Sequence, residues 1–361
     1  MPRATPPKRS IRATKPKPKK STSPKPPPKK RVVTKSRPKT TTAAAPAKPR
    51  TTPAPARTAN VTGPFFGSHL SIAGSMVNAL HDAERLGLDG VQVFTKNQQQ
   101  WKAKPLDPAM VEEWRTEQAR LGWNERTVSH ASYLINLASV SDELFAKSVD
   151  LMTDEIERCE TLGIPFLVHH PGSSVGWTRE QGIARIARAY VELFKRTKGS
   201  RTVSCLEGTV GAGSTLGGPF EDLQVLRARI IEATGEGSRV GFCLDTCHMH
   251  AAGHDLSTRA QADAVLDRFD ELCGLAHVRV MHLNDSKGAA TSKLDRHEHI
   301  GAGTIGQGGG RGGLSNSGFA AVVNRPELRG CPMIMETPKG HDADGQDHDL
   351  LNVARLRGLV G

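Results

Sequence analysis

The sequence predicts an α/β fold, a (β/α)8 barrel, preceded by a basic N-terminal tail too polar to fold. Three observations lead there. Composition breaks sharply near residue 62. Eight short apolar runs then alternate with helical patterns over some 300 residues. And six consecutive runs end in an imidazole or a carboxylate.

Residues 1–62 hold 18 of the 49 Lys and Arg residues and 14 of the 23 prolines, with no acidic or aromatic side chain. Such a segment cannot bury enough apolar surface to offset its ordering entropy, so disorder is expected. Residues 63–361 carry 31 basic and 37 acidic side chains, a net of −6. The overall +12 is thus a property of the tail. No 18-residue apolar run is present, which excludes a membrane helix. The N-terminus lacks the apolar core of a secretion signal, and its prolines argue against the amphipathic helix of a transit peptide. The six cysteines, at 159, 205, 243, 247, 273 and 331, read as reduced thiols, mostly small core residues. Cys243 and Cys247 lack the C-x-x-C spacing of a redox or zinc pair.

The expected strands are "FFGSH" (65–69), "GVQVF" (90–94), "TVSHA" (127–131), "FLVHH" (166–170), "TVSCLE" (202–207), "VGFCLD" (240–245), "VRVMHLN" (278–284) and "CPMIME" (331–336). Between them, Ile183, Ile186, Ala187, Tyr190 and Phe194 recur at helical spacing over 178–194, with Thr178 and Gln181 as a capping box. A second helix is expected over 141–162, with Leu144, Leu151, Met152, Ile156 and Cys159 on one side and Gly163 as its stop. The glycine-rich stretch "GQGGGRGGLSNSG" (306–318) reads as a flexible, solvated insertion. A doubly wound open sheet is the architectural rival.

His130 closes the third strand, His170 the fourth, Glu207 the fifth, Asp245 the sixth, His282 the seventh and Glu336 the eighth. In a barrel these ends share one mouth, where active sites of this architecture sit. His248 follows Asp245 by three residues, and Asp295 and His297 lie in the loop after the seventh strand. The stretch "HLNDSKGAATSKLDRHEHIGAG" (282–303) therefore supplies one group from a strand end and two from a loop. Five imidazoles and four carboxylates in one cavity would stay unsatisfied without cations. The mixed N/O set favours zinc or manganese over magnesium, and nine groups suit two or three ions with a bridging carboxylate.

At these residues the chain resembles the endonuclease IV family of zinc-dependent apurinic/apyrimidinic endonucleases. The resemblance runs from about Phe66 to about Glu336. It is carried by "GSHLSIAGS" (67–75), "FTKNQQQWKAKPL" (94–106), "HASYLINLA" (130–138), "HHPGS" (169–173), "SRVGFCLDTCHMHAAGHDL" (238–256), "MHLNDSK" (281–287), "DRHEHIGAG" (295–303) and "METP" (335–338). It implies a trinuclear zinc site, with manganese as a possible substitute. One ion would be held by His130, His170 and Glu207; a second by Glu207, Asp245, His282 and Glu336; a third by His248, Asp295 and His297. Glu207 or Glu336 would orient the attacking water. The implied reaction cleaves the phosphodiester 5′ of an abasic site in double-stranded DNA, leaving a 3′-hydroxyl and a 5′-deoxyribose phosphate, with 3′-end cleaning as a possible second activity. The resemblance also implies DNA contacts from Gln99, Tyr133 and Leu134. Gln99 stands where relatives commonly carry arginine, which removes a charge from that probe, and Gly208 replaces a commonly polar residue.

The tail would bind nucleic acid without sequence preference. Its "PPPKKRVV" (26–33) resembles a nuclear localisation signal, implying a nucleus in a eukaryotic or viral setting and intracellular DNA otherwise. A monomer without membrane association is expected. Two rival functions are a sugar isomerase or epimerase, which shares the architecture with one or two ions, and a non-catalytic DNA-binding protein with a decayed barrel.

Overall fold

The computed structural model describes residues 63–361. The predicted basic tail and its localisation-like run lie outside the described residues.

Eight parallel strands close on themselves. They are β1 (Phe65–His69), β2 (Gly90–Val93), β3 (Thr127–His130), β4 (Phe166–His169), β5 (Val203–Glu207), β6 (Val240–Asp245), β7 (Val278–His282) and, after two short strands, β10 (Pro332–Met335). The intervening β8 (Asp285–Ser286) and β9 (His297–Glu298) pair antiparallel outside the barrel. The order β1-β10-β7-β6-β5-β4-β3-β2 returns to β1 through parallel pairing with β2. The eight predicted strands are all present, most of them a residue or two shorter than their apolar runs, and the open-sheet rival is excluded.

The helices follow the expected alternation: α1 (Val77–Arg85), α2 (Pro108–Leu121), α3 (Asp142–Leu162), α4 (Arg179–Arg196), α5 (Phe220–Thr234), α6 (Thr246–Ala252), α7 (Arg259–Cys273), α8 (Thr304–Gln307), α9 (Gly318–Asn324) and α10 (His348–Arg357). The capping box of α4 forms as read: Thr178 Oγ1 accepts from Gln181 N, and Gln181 Oε1 accepts from Thr178 N. Gly163 ends α3 at φ 70°, a left-handed turn that glycine enters without a Cβ penalty.

One expectation fails. Residues 306–318 are not a loose insertion: they continue α8, form a 3-10 stretch over Gly310–Asn316 and start α9. Most glycines there are needed for close packing, while Gly310 and Gly313 take left-handed φ of 57° and 55°. A Cβ on Gly306 would lie 2.4 Å from Gly301 Cα and 2.6 Å from Asp285 Oδ2. The carboxylate of Asp285 is buried and accepts from the amides of Gly301, Gly303, Ile305 and Gly306, which holds this segment against β8.

The barrel interior explains where the site must lie. Side chains alternate between the two faces of a strand, so residues two apart share a face. Val128, Val168, Cys205, Cys243, Val280 and Ile334 form a separate buried cluster. Each stands two residues before one of His130, His170, Glu207, Asp245, His282 and Glu336. An apolar layer thus plugs the barrel, and the next inward layer toward the carboxyl ends is built of imidazoles and carboxylates. In β1 and β2 the positions two before His69 and Gln92 are Gly67 and Gly90, where a Cβ would meet backbone at 2.7 and 2.4 Å.

Candidate metal centre

All nine predicted ligands converge at this mouth, in three groups. His130, His170 and Glu207 form one; Glu207, Asp245, His282 and Glu336 a second; His248, Asp295 and His297 a third. Within each group the ligand atoms lie within 4.8 Å of one another. Glu207 belongs to two groups. Its Oε2 is 3.2 Å from His130 Nε2 and 3.1 Å from His170 Nε2, and its Oε1 is 3.1 Å from His282 Nδ1. His248 Nε2 stands 3.3 Å from Asp295 Oδ1, and His297 Nε2 stands 3.6 Å from both Asp295 Oδ1 and Asp245 Oδ2. Two ligands of one tetrahedral zinc are separated by roughly 3.3–3.6 Å.

The outer hydrogen bonds of the rings test this fit. A carbonyl oxygen only accepts, so the ring nitrogen facing it carries the proton and leaves the other nitrogen's lone pair free. His130 Nδ1 donates to the Ala131 carbonyl at 2.8 Å, His248 Nδ1 to Gly208 at 2.9 Å, and His297 Nδ1 to Glu336 at 3.2 Å. The free nitrogen of each ring points into its group. His297 Nε2 is buried with no hydrogen-bond partner at all. An imidazole lone pair left bare between two carboxylates fits a cation as its missing partner. Adjacent His169 shows the contrast. It faces the helix layer, bonds Tyr190 and Ser204, and burial drops it to about 4.

Asp245 does two jobs. Its Oδ1 accepts from His248 N as the N-cap of α6, which aims His248 at the mouth. Its Oδ2 accepts from Asn284 Nδ2 at 2.7 Å, while Asn284 Oδ1 receives Glu336 N.

The strand-end reading missed two residues. His69 Nδ1 lies 3.0 Å from Glu336 Oε1. Gln92 Nε2 donates to the same oxygen at 2.6 Å, and the carboxylate can only accept, so Gln92 Oε1 must face His282 Nε2, at 2.9 Å. Gln92 thereby fixes the proton of His282 on Nε2 and turns Nδ1 toward Glu207 and Glu336. The signal was present: Gln92 is the one polar residue in "GVQVF", and His69 closes "FFGSH".

Among the predicted DNA contacts, Tyr133 is exposed and its ring sits 5.1 Å from that of His130 and 6.0 Å from that of His170. Leu134 is half-buried beside it, and Gln99 is exposed on the neighbouring loop.

The electrostatics are those of a charged cluster held together by sharing protons. Burial pushes Glu207 up, but His170, His282 and His130 override it and hold its carboxyl well below the usual range. Burial likewise opposes ionisation of Glu336, and His282, His69 and His130 reverse it. The reciprocal effect raises His282: burial would lower it, yet Glu336 and Glu207 lift it to about 9.

The (β/α)8 barrel and its rim of imidazoles and carboxylates define a class, and comparison with known proteins agrees. The family model described as "Xylose isomerase-like TIM barrel" matches residues 80–353. Within that class, a protein of Chloroflexus aurantiacus named "Probable endonuclease 4" is 43% identical over 297 residues, 82% of this chain and 98% of its own length. One of Methanoculleus marisnigri, with the same name, is 39% identical over 297 residues, covering 82% of this chain and 99% of itself. The crystal structure of endonuclease IV from Thermus thermophilus superposes with a TM-score of 0.68 at 35% identity, covering 82% of this chain and 98% of that one. The chain belongs to the endonuclease IV family, and it is a DNA-cleaving hydrolase. A D-tagatose 3-epimerase-like protein shares the fold alone, at 18% identity over 82% of this chain and 96% of that one, with a TM-score of 0.58.

Two outcomes follow from the charge sharing. His282 is raised from 6.5 to about 9, so in the cation-free protein its contribution is full below pH 6.5 and is lost as pH rises through 9. Chelator-treated protein should therefore melt at a lower temperature at pH 9 than at pH 6.5 by scanning calorimetry. Cation-loaded protein should not share that fall, because the cation replaces the proton. Gln92→Ala should weaken metal binding by about 10–100-fold, read by competition with a chelating dye. Unaltered affinity would remove its orienting role.

Proposed function

We propose that the chain is an apurinic/apyrimidinic endonuclease of DNA repair, hydrolysing the phosphodiester 5′ of an abasic site to leave a 3′-hydroxyl and a 5′-deoxyribose phosphate. Cleaning of blocked 3′ ends at the same centre is the accompanying activity. The observation that carries the reading is the third ligand group, His248, Asp295 and His297, set beside the two groups that share Glu207. One- or two-ion sugar epimerases need no such third group, and a decayed barrel would not keep nine matched ligands.

The residues divide the work. His130, His170 and Glu207 would hold one zinc ion, Glu207, Asp245, His282 and Glu336 a second, and His248, Asp295 and His297 a third, with manganese able to substitute. Zinc supplies Lewis acidity there, lowering the pKa of water from about 15.7 to roughly 7 and drawing charge from phosphate oxygens. Glu207 and Glu336 are ionised at neutral pH and accept a hydrogen bond from the attacking water, which orients it toward phosphorus. Tyr133 and Leu134 press into the duplex at the lesion, and Gln99 approaches from the adjoining loop. A nucleotide without a base has less stacking to lose, so it rotates out of the helix at lower cost than a normal one. Gln99 brings amide hydrogen bonding rather than charge to this contact.

One chain supplies all nine residues of the three groups, so a monomer would suffice to build the proposed site. Among the described residues no helix is long and apolar enough to cross a membrane. Residues 1–62 would tether the enzyme to DNA through their 18 positive charges. The named relatives come from organisms without nuclei, which favours tethering over nuclear address for "PPPKKRVV".

Purified protein with its metal content measured should nick a duplex carrying one abasic analogue on the 5′ side. Glu207→Gln should retain the fold by circular dichroism and lose at least about 10³-fold in turnover. Near-normal turnover in that variant would end the bridging role, and an intact substrate with loaded protein would end the assignment. Removing residues 1–62 should raise Kd for any duplex at low salt and flatten its salt dependence, with single-turnover cleavage at saturation unchanged. A salt slope equal to that of the full chain would refute tethering.

A further inference from the structure

Two irregular segments rim the mouth beside the ligands: residues 94–106 after β2 and 131–140 after β3. Their tips carry exposed Gln99, Trp101 and Tyr133. Beneath them lies a buried polar cluster built on α3. Glu155 Oε1 pairs with Lys96 Nζ at 3.0 Å and accepts from Ser132 N at 3.3 Å. Its Oε2 accepts from Thr95 Oγ1 at 2.9 Å. Arg158 donates through Nε to Thr95 Oγ1, through Nη2 to the Thr95 carbonyl and through Nη1 to the Lys104 carbonyl. Ser132 Oγ then donates directly to the Gln98 carbonyl, at 2.5 Å.

Burying a charged triad is a poor route to stability, since well-packed apolar residues do as well or better. The inward positions Met152, Ile156 and Cys159 of the same helix are apolar. What Glu155 supplies instead is register. One carboxylate grips Thr95 and Lys96 of the first segment and Ser132 of the second, so neither can shift without breaking a buried bond in the other. We infer that Glu155 is a positioning residue that makes the two rim segments engage a substrate duplex as a single unit. The inference rests on the DNA reading above, because it is that reading which gives Gln99 and Tyr133 a common partner.

The test is a double-mutant cycle on binding of a duplex with one tetrahydrofuran abasic analogue, read by fluorescence anisotropy. In the native background, the effects of Gln99→Ala and Tyr133→Ala on Kd should be non-additive. In a Glu155→Gln background they should become additive. Glu155→Gln alone should raise Kd and KM on the order of tenfold while kcat and bound metal stay within about twofold. Ser132→Ala, which removes one inter-segment bond, should reduce the coupling in part and serves if Glu155→Gln does not fold. Equal coupling in both backgrounds, or a loss of kcat and metal with Kd unchanged, would overturn the inference alone. Failure of the unaltered protein to bind the abasic duplex would overturn the DNA reading and this inference together.

Discussion

Three carboxylates, Glu207, Asp245 and Glu336, are forced into one water-poor mouth when the sheet closes, and the site's other features answer that constraint. Glu207 and Asp245 are fully buried, and Glu336 nearly so. Isolated carboxylates in such a place would protonate or unfold the barrel. Here imidazoles stand at 3.0–3.8 Å from each, and the carboxylates raise His130, His248 and His282 toward the protonated form. The same arrangement suits a cation better than a proton. Four of the five imidazoles in the three groups already commit their outer N–H to a fixed acceptor, so the inner nitrogen is aimed for any ion they would hold.

The barrel delivers six of the nine groups through alternation, and α6 and the segment after β7 add the other three. An inward side chain recurs every second residue, so the apolar plug and the ligand layer are consecutive steps of the same strands. Stability and chemistry are stacked rather than mixed. Val128 fills the interior while His130 faces the mouth, and Cys243 does the same beneath Asp245. This also explains the cysteines. Cys205 and Cys243 are plug residues whose thiols burial raises far above neutrality, so without an ion they stay protonated and pack with the apolar layer.

Much of this was legible from residue order, because strand ends are local and the ligand types are unusual there. The partition of nine groups into three followed from resemblance, and the geometry groups the same residues. What escaped was tertiary. Gln92 sits inside an apolar run, and its role depends on Glu336, 244 residues away. His69 reads as an ordinary polar strand end until β1 is seen to pair with β10. The glycine-rich stretch looked like a flexible loop because sequence carries no sign that Asp285 collects four of its neighbouring amides. Glycine there answers close approach at Gly306 and left-handed backbone at Gly310 and Gly313. Glu155 was hidden for a similar reason: on a helix read for its apolar stripe, a buried carboxylate looks like an exposed one.

The charge distribution then raises a question of approach. The part of the chain from residue 63 onward carries a net −6, yet its proposed substrate is a polyanion. Three divalent ions would add six positive charges, equal in size to that deficit and concentrated at the mouth where phosphate must enter. Fields of bound ions fall off within about 10 Å in 0.1 M salt, so they act on docked DNA and not on distant DNA. Long-range capture needs further positive charge, and under the tethering proposal the 18 basic residues of the first 62 would provide it. On this view affinity and selectivity come from separate parts of the chain. Residues 1–62 would raise encounter with any duplex, and the rim with its imidazoles and carboxylates would respond to an abasic nucleotide.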